Sequence, residues 1–168
     1  MKIALALSGG GFRATVFHLG VLARLAEEKQ LENVTFVSSV SGGSLCGGLI
    51  FAANQMKWPT SAEYIDIVVP AVRRLLTTFS LEGALIFRAV GAFWTLLETR
   101  ADDLSLLMQM HWGIRAKLSS LPAQPRWMIN ATCYETGKNW RFERFRMGDY
   151  VFGYSHDTDI PLSESIRV

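Results

Sequence analysis

The sequence predicts an α/β fold built on a mainly parallel sheet. Two short apolar runs with strand character, residues 2–7 and 34–38, each end in a turn of small residues. A stretch with helical character follows each turn, over residues 13–29 and 44–54. This order of strand, turn and helix, repeated twice, is typical of the beginning of a parallel α/β sheet.

The first strand and the first helix can be predicted in more detail. Residues 2–7 are an apolar run that stops at a cluster of glycines, which indicates a buried strand. In the stretch that follows, Phe17, Val21 and Leu25 recur every four residues. We therefore expect these three side chains to form the apolar face of the first helix.

The middle of the chain, residues 60–121, has the pattern of a helical insertion or lid. Thr60 and Glu63 have the spacing of a capping box, which predicts the start of a helix. Pro70 is expected to kink or divide that helix. Caps of two further helices are predicted at Ser80 and Asp102.

The end of the chain returns to strand patterns. Residues 126–134 and 139–146 flank a turn at 136–138, which predicts a hairpin. Residues 161–168 have the pattern of another helix start. The sequence contains neither an internal repeat nor a low-complexity linker, so we expect a single domain over residues 1–168.

The composition excludes several classes of protein. Of the 168 residues, 49% are apolar and 19% are charged, with 14 glycines and 5 prolines, which excludes disordered and collagen-like chains. The net charge of +2 gives no electrostatic reason to expect nucleic acid as a partner. Cys46 and Cys133 lie in no metal-binding pattern, so we expect free thiols and no structural zinc.

No stretch of the sequence has the pattern of a membrane span. The most apolar long stretch, residues 81–97, is interrupted by Glu82 and Arg88, whereas a span needs about 20 mainly apolar residues. The N-terminal apolar run is too short for the core of a signal peptide. We therefore expect a cytoplasmic protein.

The glycine turn at residues 8–13 is the first candidate site. Consecutive glycines allow a ligand close to the backbone, and the N–H groups at the start of the next helix favour a negative charge. That charge is either a phosphate or the oxyanion of a transition state, and a turn without chemistry is the third reading. A P-loop is excluded because no GxxxxGK[ST] run occurs, and a dinucleotide site needs an acid where Ser38 and Ser39 stand.

The turn at residues 39–43 is the second candidate site. It has the strand-to-helix position of a nucleophile elbow, GxSxG, in which small residues lie two positions before and two after the serine. Gly43 meets this requirement, and Ser39 approximates it. The alternative is a serine that only caps the following helix.

The two turns are expected to lie next to each other in the fold. The carboxyl ends of parallel strands lie at one edge of a sheet, where such folds bind ligands. One turn offers N–H donors at that edge and the other offers a serine hydroxyl, Ser41. Together they predict a nucleophile beside an oxyanion hole.

At these residues the sequence resembles the patatin-like phospholipases. The glycine turn and first helix read SGGGFRATVFHLGVLARL, and the serine turn reads SSVSGGSLCGG. The later segments NATCYETGKNWRFE and DIPLSESIRV are similar to the downstream part of that family's domain. The resemblance extends from residue 1 to residue 168, with a weaker match between about residues 56 and 121.

The resemblance implies a three-layer α/β/α sandwich, incomplete at its C-terminus, and lipid acyl hydrolysis by a Ser–Asp dyad. Ser41 takes the place of the nucleophile. The oxyanion hole is expected at Gly9, Gly10, Gly11, Arg13 and Gly42. No metal or organic cofactor is implied, and the expected substrate is a phospholipid or acyl-glycerol ester.

The sequence departs from the family pattern in two ways. Ser39 stands where a glycine is usual. None of the six aspartates is followed by glycine, so the Asp-Gly-Gly or Asp-Gly-Ala motif of the dyad is not found, and we expect it beyond residue 168. A chain that binds lipid or a partner without hydrolysis is the alternative reading.

A serine nucleophile needs a base, and the candidates in this sequence are the histidines and two loop aspartates. We expect His18 to be structural, on the first helix, and His111 to pack in a core or lid helix. His156 is expected in a solvated turn. Asp157 and Asp159 are the less favoured substitutes for the dyad carboxylate.

Two features favour contact with lipid, although core packing and a solvated strand face are the commoner explanations. Residues 81–97 and 104–112 are rich in leucine, phenylalanine, methionine and tryptophan, as in a lid or interfacial helix. Residues 126–146 carry a net charge of +3, which suits anionic head groups. We therefore expect a cytoplasmic protein that makes peripheral contact with membranes. Nucleic acid is not expected as a partner.

Overall fold

The structure, a computed structural model, describes residues 1–78 and 100–166. Its centre is a six-stranded sheet in which the strands lie in chain order. The strands are β1 (Ile3–Leu7), β2 (Val34–Val40), β3 (Arg126–Thr132), β4 (Asn139–Glu143), β5 (Arg146–Asp149) and β6 (Gly153–Ser155).

The sheet has a parallel part and a hairpin part. The first three strands are parallel, with Leu7 opposite Ser39 and Ser39 opposite Ile129. From β3 onwards each strand is antiparallel to the one before it. The predicted α/β fold is confirmed, and the strands that carry both candidate turns belong to the parallel part.

Five α-helices of five residues or more accompany this sheet in the described residues. They are α1 (Gly11–Glu27), α2 (Gly42–Ala53), α3 (Val69–Thr78), α4 (Arg100–His111) and α5 (Leu162–Ile166). Shorter helical turns lie at Leu31–Asn33, Ser61–Glu63 and Leu118–Ser120. No helix in these two stretches of chain is long and apolar enough to cross a membrane.

The capping box is confirmed, and the region around Pro70 shows how its helix is divided. The Thr60 hydroxyl accepts from the backbone N–H of Glu63, whose carboxylate accepts from the Thr60 N–H. The helical chain then passes through a π-helical turn, Tyr64–Val68, before α3. The wider turn precedes Pro70, a residue that has no N–H to donate to the helix.

Helix α2 packs on one face of the parallel strands. The ring of Phe51 stacks on that of Trp127 with 5.2 Å between centroids, and Gly47 lies against the same indole. Gly48 lies against Ile166, so α5 packs on the other side of α2. On the opposite face of the sheet Ala4 and Ala6 are exposed. The expectation that the first strand is buried was therefore wrong for these two residues of β1.

The predicted apolar face of α1 was wrong for Phe17 and Val21, which are exposed, whereas Leu25 is partly buried against the core. The buried side chains are Thr15, His18, Leu22 and Ala26. The register shifts by one position because buried hydrogen bonds of Thr15 and His18 attach α1 to the two turns. Tertiary contacts, not the apolar period, decide which face is buried.

The predictions for the middle of the chain had mixed outcomes. Ser80 and residues 81–97 lie outside the described residues. Asp102 does not cap a helix, because α4 begins at Arg100. Within residues 105–112, Leu107, Met108 and Trp112 are buried. That burial supports core packing for this part of α4.

The hairpin and the last helix were predicted correctly. The strand predicted over residues 139–146 is two strands, β4 and β5, because the chain turns at Arg144 and Phe145. The third hairpin, with β6, was not predicted. Both cysteines are free thiols, and burial raises the pKa of the Cys46 thiol.

Candidate functional site

Ser41 has the backbone conformation of a nucleophile elbow. Its φ of 50° and ψ of −119° place a non-glycine residue in a sparsely populated region. It lies between the end of β2 and the first residue of α2, and it is exposed. Strain of this kind persists only where the surrounding structure enforces it.

The two glycines after Ser41 are required by close backbone contacts. A Cβ atom on Gly42 would lie 2.1 Å from the carbonyl oxygen of Gly11. A Cβ atom on Gly43 would lie 2.3 Å from the carbonyl oxygen of Leu7. The elbow is therefore pressed against β1 and the glycine turn, and only glycine fits at either position.

The glycine turn lies directly beside Ser41. A Cβ atom on Gly9 would be 3.3 Å from the Cβ atom of Ser41, which is a tight van der Waals contact. Gly10 and Gly11 have φ values of 132° and 62°, which side chains disfavour. These conformations turn the chain from β1 into α1 next to the serine.

Two helices therefore begin at one point of the sheet edge. Helix α1 starts at Gly11 and α2 starts at Gly42, on either side of Ser41. The first N–H groups of a helix have no acceptor within the helix, and the helix dipole adds a positive potential there. This edge can thus stabilise a negative charge that develops beside the serine. Arg13 is in the first turn of α1 with its side chain exposed.

Thr15 joins these two helix starts. Its buried hydroxyl lies 2.8 Å from the carbonyl oxygen of Gly42, to which it donates. This bond fixes the Gly42–Gly43 peptide group, one peptide group beyond the one that carries the Gly42 N–H. Sequence reasoning missed Thr15 because it appeared to be an ordinary residue of an apolar helix.

The structure explains why a serine, Ser39, stands where the family usually has a glycine. The indole Nε1–H of Trp127 donates to the Ser39 hydroxyl over 2.8 Å, and the Ser44 hydroxyl is 2.9 Å from the same oxygen. All three side chains are buried. Ser39 therefore links β2, β3 and the first turn of α2 around Ser41, and a glycine at this position would leave the indole N–H without this acceptor.

We expect Ser39→Ala to lower the free energy of unfolding by about 1–3 kcal/mol, because a buried N–H loses its acceptor. Chemical denaturation measures the change. In a double-mutant cycle with Trp127→Phe, which removes the donor, the two effects should be less than additive. Strict additivity would contradict the role given to this hydrogen bond.

Asn130 is a further polar residue at this edge that the sequence did not reveal. It lies opposite Val40 in the sheet, and its side-chain N–H groups donate to the Ser38 hydroxyl and the Ser39 carbonyl, each over 3.0 Å. It thereby ties the end of β2 to β3, one residue before the elbow. The signal was weak because a lone asparagine in a strand pattern has no motif.

The candidate bases do not meet the serine in the described residues. His18 is structural as predicted, with Nε2 lying 3.1 Å from the Ser8 carbonyl oxygen. His156 lies in an exposed turn, with Nδ1 3.1 Å from the Phe145 carbonyl oxygen. Asp159 pairs with Lys117 over 2.7 Å, and Asp157 accepts from the Asp159 N–H. His111 is the last residue of α4.

The basic stretch 126–146 is partly neutralised in the folded chain. Glu143 is buried, and its carboxylate binds the guanidinium groups of Arg126 and Arg146. Arg126 and Arg146 are therefore engaged with a carboxylate instead of being free for head groups.

Solved structures of a human phospholipase A2 have the same fold as this chain. Human GIVD cytosolic phospholipase A2 in complex with methyl gamma-linolenyl fluorophosphonate matches with a TM-score of 0.65 and 19% identity. The match covers 98% of this chain and 29% of that chain. Another structure of human GIVD cytosolic phospholipase A2 matches with a TM-score of 0.58 and 20% identity, over 91% of this chain and 24% of that chain.

These matches show the fold, and the chain spans less than a third of the length of the enzyme it resembles. No curated protein sequence matches the chain. A family model for patatin-like phospholipases matches residues 5–149, which include both turns and all of β2 to β5. The chain therefore belongs to the patatin-like phospholipase family.

Proposed function

We propose that this chain hydrolyses acyl esters of phospholipids or acylglycerols, with Ser41 as the nucleophile. The observation that carries the proposal is the strained, exposed serine in contact with a glycine turn where two helices begin. This arrangement pairs a nucleophile with a ready-made anion site. Family membership supplies the substrate class.

In the proposed reaction the Ser41 oxygen attacks the ester carbonyl carbon while its proton passes to a base. The carbonyl oxygen gains the negative charge, and amides from Gly9 to Arg13 together with the Gly42 amide hold it. The alcohol leaves with a proton, and water then releases the fatty acid from the acyl-enzyme. As in the family, we assign the base to the carboxylate of a Ser–Asp dyad.

The oxyanion assignment rests on the two helix starts and on Thr15. The Thr15 hydroxyl holds the Gly42 carbonyl. The Ser41 carbonyl, which shares a peptide plane with the Gly42 N–H, accepts from the Leu45 N–H over 3.0 Å, so that N–H is oriented before substrate arrives. Preorganised donors of this kind need no rearrangement during the reaction. We also propose that the protein works in the cytoplasm, at the surface of a membrane, because its substrate lies there.

An alkyl fluorophosphonate tests the nucleophile directly. The serine oxygen forms a bond to phosphorus and fluoride leaves, so an activated serine gains a stable mass. We expect the adduct on the peptide that contains Ser41 and its loss in Ser41→Ala, by peptide mass spectrometry. Labelling elsewhere, or no labelling together with tight vesicle binding, would favour the non-catalytic lipid-binding reading.

A further inference from the structure

Two loops of the hairpin part lie at the same edge of the sheet as Ser41. Strands β2 and β3 are parallel, so residues 133–138, which follow β3, are on the side of the elbow. Strand β5 also ends on this side, because it is antiparallel to β4 and β4 is antiparallel to β3. Residues 150–152 therefore lie about 14 Å from the elbow along the sheet, three strand spacings away.

These loops expose large apolar and aromatic side chains. The exposed fractions are 97% for Tyr134, 71% for Tyr150, 53% for Val151 and 61% for Phe152. Clusters of this kind at a rim mark contact with a protein or a membrane. Tyrosine, with an apolar ring and a polar hydroxyl, suits a membrane–water interface. We call these four residues the hairpin tips.

The hairpin tips are held in place by Asp149, the last residue of β5. One oxygen of its buried carboxylate accepts the N–H groups of Val151 and Phe152, at 2.8 and 2.7 Å. The other accepts from the Thr136 hydroxyl in the neighbouring loop, over 3.2 Å. Asp149 thus links the two loops to each other and to the end of β5.

The charges near this edge suit a phospholipid surface. Arg13 and Lys138 are exposed there, on either side of the elbow, and Glu135 is the exposed acid of the same loop. The Glu135 carboxylate accepts from the Cys133 thiol, 3.3 Å away. Asp149 is buried beneath its three donors. The cations are therefore the more available charges at this rim.

We propose that the hairpin tips dock the elbow edge onto a phospholipid bilayer. This inference rests on the proposed function, because it supplies the surface from which Ser41 would take its substrate. The rings of Tyr134, Tyr150 and Phe152 enter the interfacial region, and Arg13 and Lys138 lie against the phosphates. Docking then brings the ester carbonyls to the sheet edge that carries the nucleophile.

Vesicle co-sedimentation tests docking separately from catalysis. All proteins carry Ser41→Ala, so the vesicles, made of phosphatidylcholine and phosphatidylglycerol, stay intact. We expect Tyr150→Ser combined with Phe152→Ser to weaken vesicle binding at least about tenfold, and Tyr134→Ser alone to weaken it less. Circular dichroism checks that each variant is folded.

Phe145→Ser is the matched control. Phe145 is 65% exposed but lies in the turn between β4 and β5, at the opposite edge of the sheet. Its loss should leave vesicle binding unchanged. The proposal is overturned if the tip variants bind as well as the parent, if the control loses binding equally, or if the parent does not bind. Fluorophosphonate labelling of Ser41 remains an independent readout, so failure of docking is distinguishable from failure of the catalytic proposal.

Discussion

Replacing Ser41 with alanine is expected to reduce ester hydrolysis by about 10⁴-fold or more, since the covalent path is lost with the hydroxyl. The fold should be unchanged, because the Ser41 side chain is exposed. Turnover of a fluorogenic ester and of phospholipid vesicles by the full-length protein measures the effect.

Ser155→Ala is the control for this substitution. Ser155 is the last residue of β6, is exposed, and accepts only a local N–H from Asp157. Its removal should leave turnover within about twofold. Retained hydrolysis in Ser41→Ala would disprove the assignment of the nucleophile, whatever the substrate.

Replacing Gly43 with alanine is expected to produce a large loss of stability. The new methyl group would lie 2.3 Å from the carbonyl oxygen of Leu7 and 2.7 Å from its carbonyl carbon. Both obstacles are backbone atoms of β1, which cannot rotate away as a side chain can. We expect the free energy of unfolding to fall by more than about 3 kcal/mol, with loss of hydrolysis.

Gly20→Ala provides the matched control. Gly20 lies inside α1, where a Cβ atom would meet nothing within 4 Å. Alanine is the better helix former, so this variant should gain about 0.5–1 kcal/mol. Thermal melts of both variants check the pair. A Gly43 variant as stable as the parent would show that the contact between elbow and β1 is looser than the structure describes.

Much of the fold and the site could be predicted because the relevant signals are local. A strand, a run of glycines and a helix pattern lie next to one another in the chain, and so do β2, Ser41 and Gly43. The parallel arrangement then places both turns at one sheet edge. The capping box at Thr60 is equally local, and it was predicted with its correct partner, Glu63.

The errors occurred where distant contacts override a local pattern. The exposed Phe17 and buried His18 reverse the expected face of α1, because His18 bonds to the Ser8 carbonyl. The buried Glu143 pairs with two arginines of the basic stretch, Arg126 and Arg146, which the charge count alone does not reveal. Aspartate is a common residue at helix N-caps, but Asp102 lies inside α4. Composition and periodicity contain no information about such partners.

The sequence by itself determined the family, the two turns and the identity of Ser41 as the candidate nucleophile. Their residue types are dictated by backbone conformation, and a conformation that only glycine tolerates is visible in the sequence. Only the tertiary structure decided that Thr15 and Ser39 hold the elbow and that the hairpin tips share its edge. Those relations join residues up to 111 positions apart, from Ser41 to Phe152, and they exist only once the strands have paired.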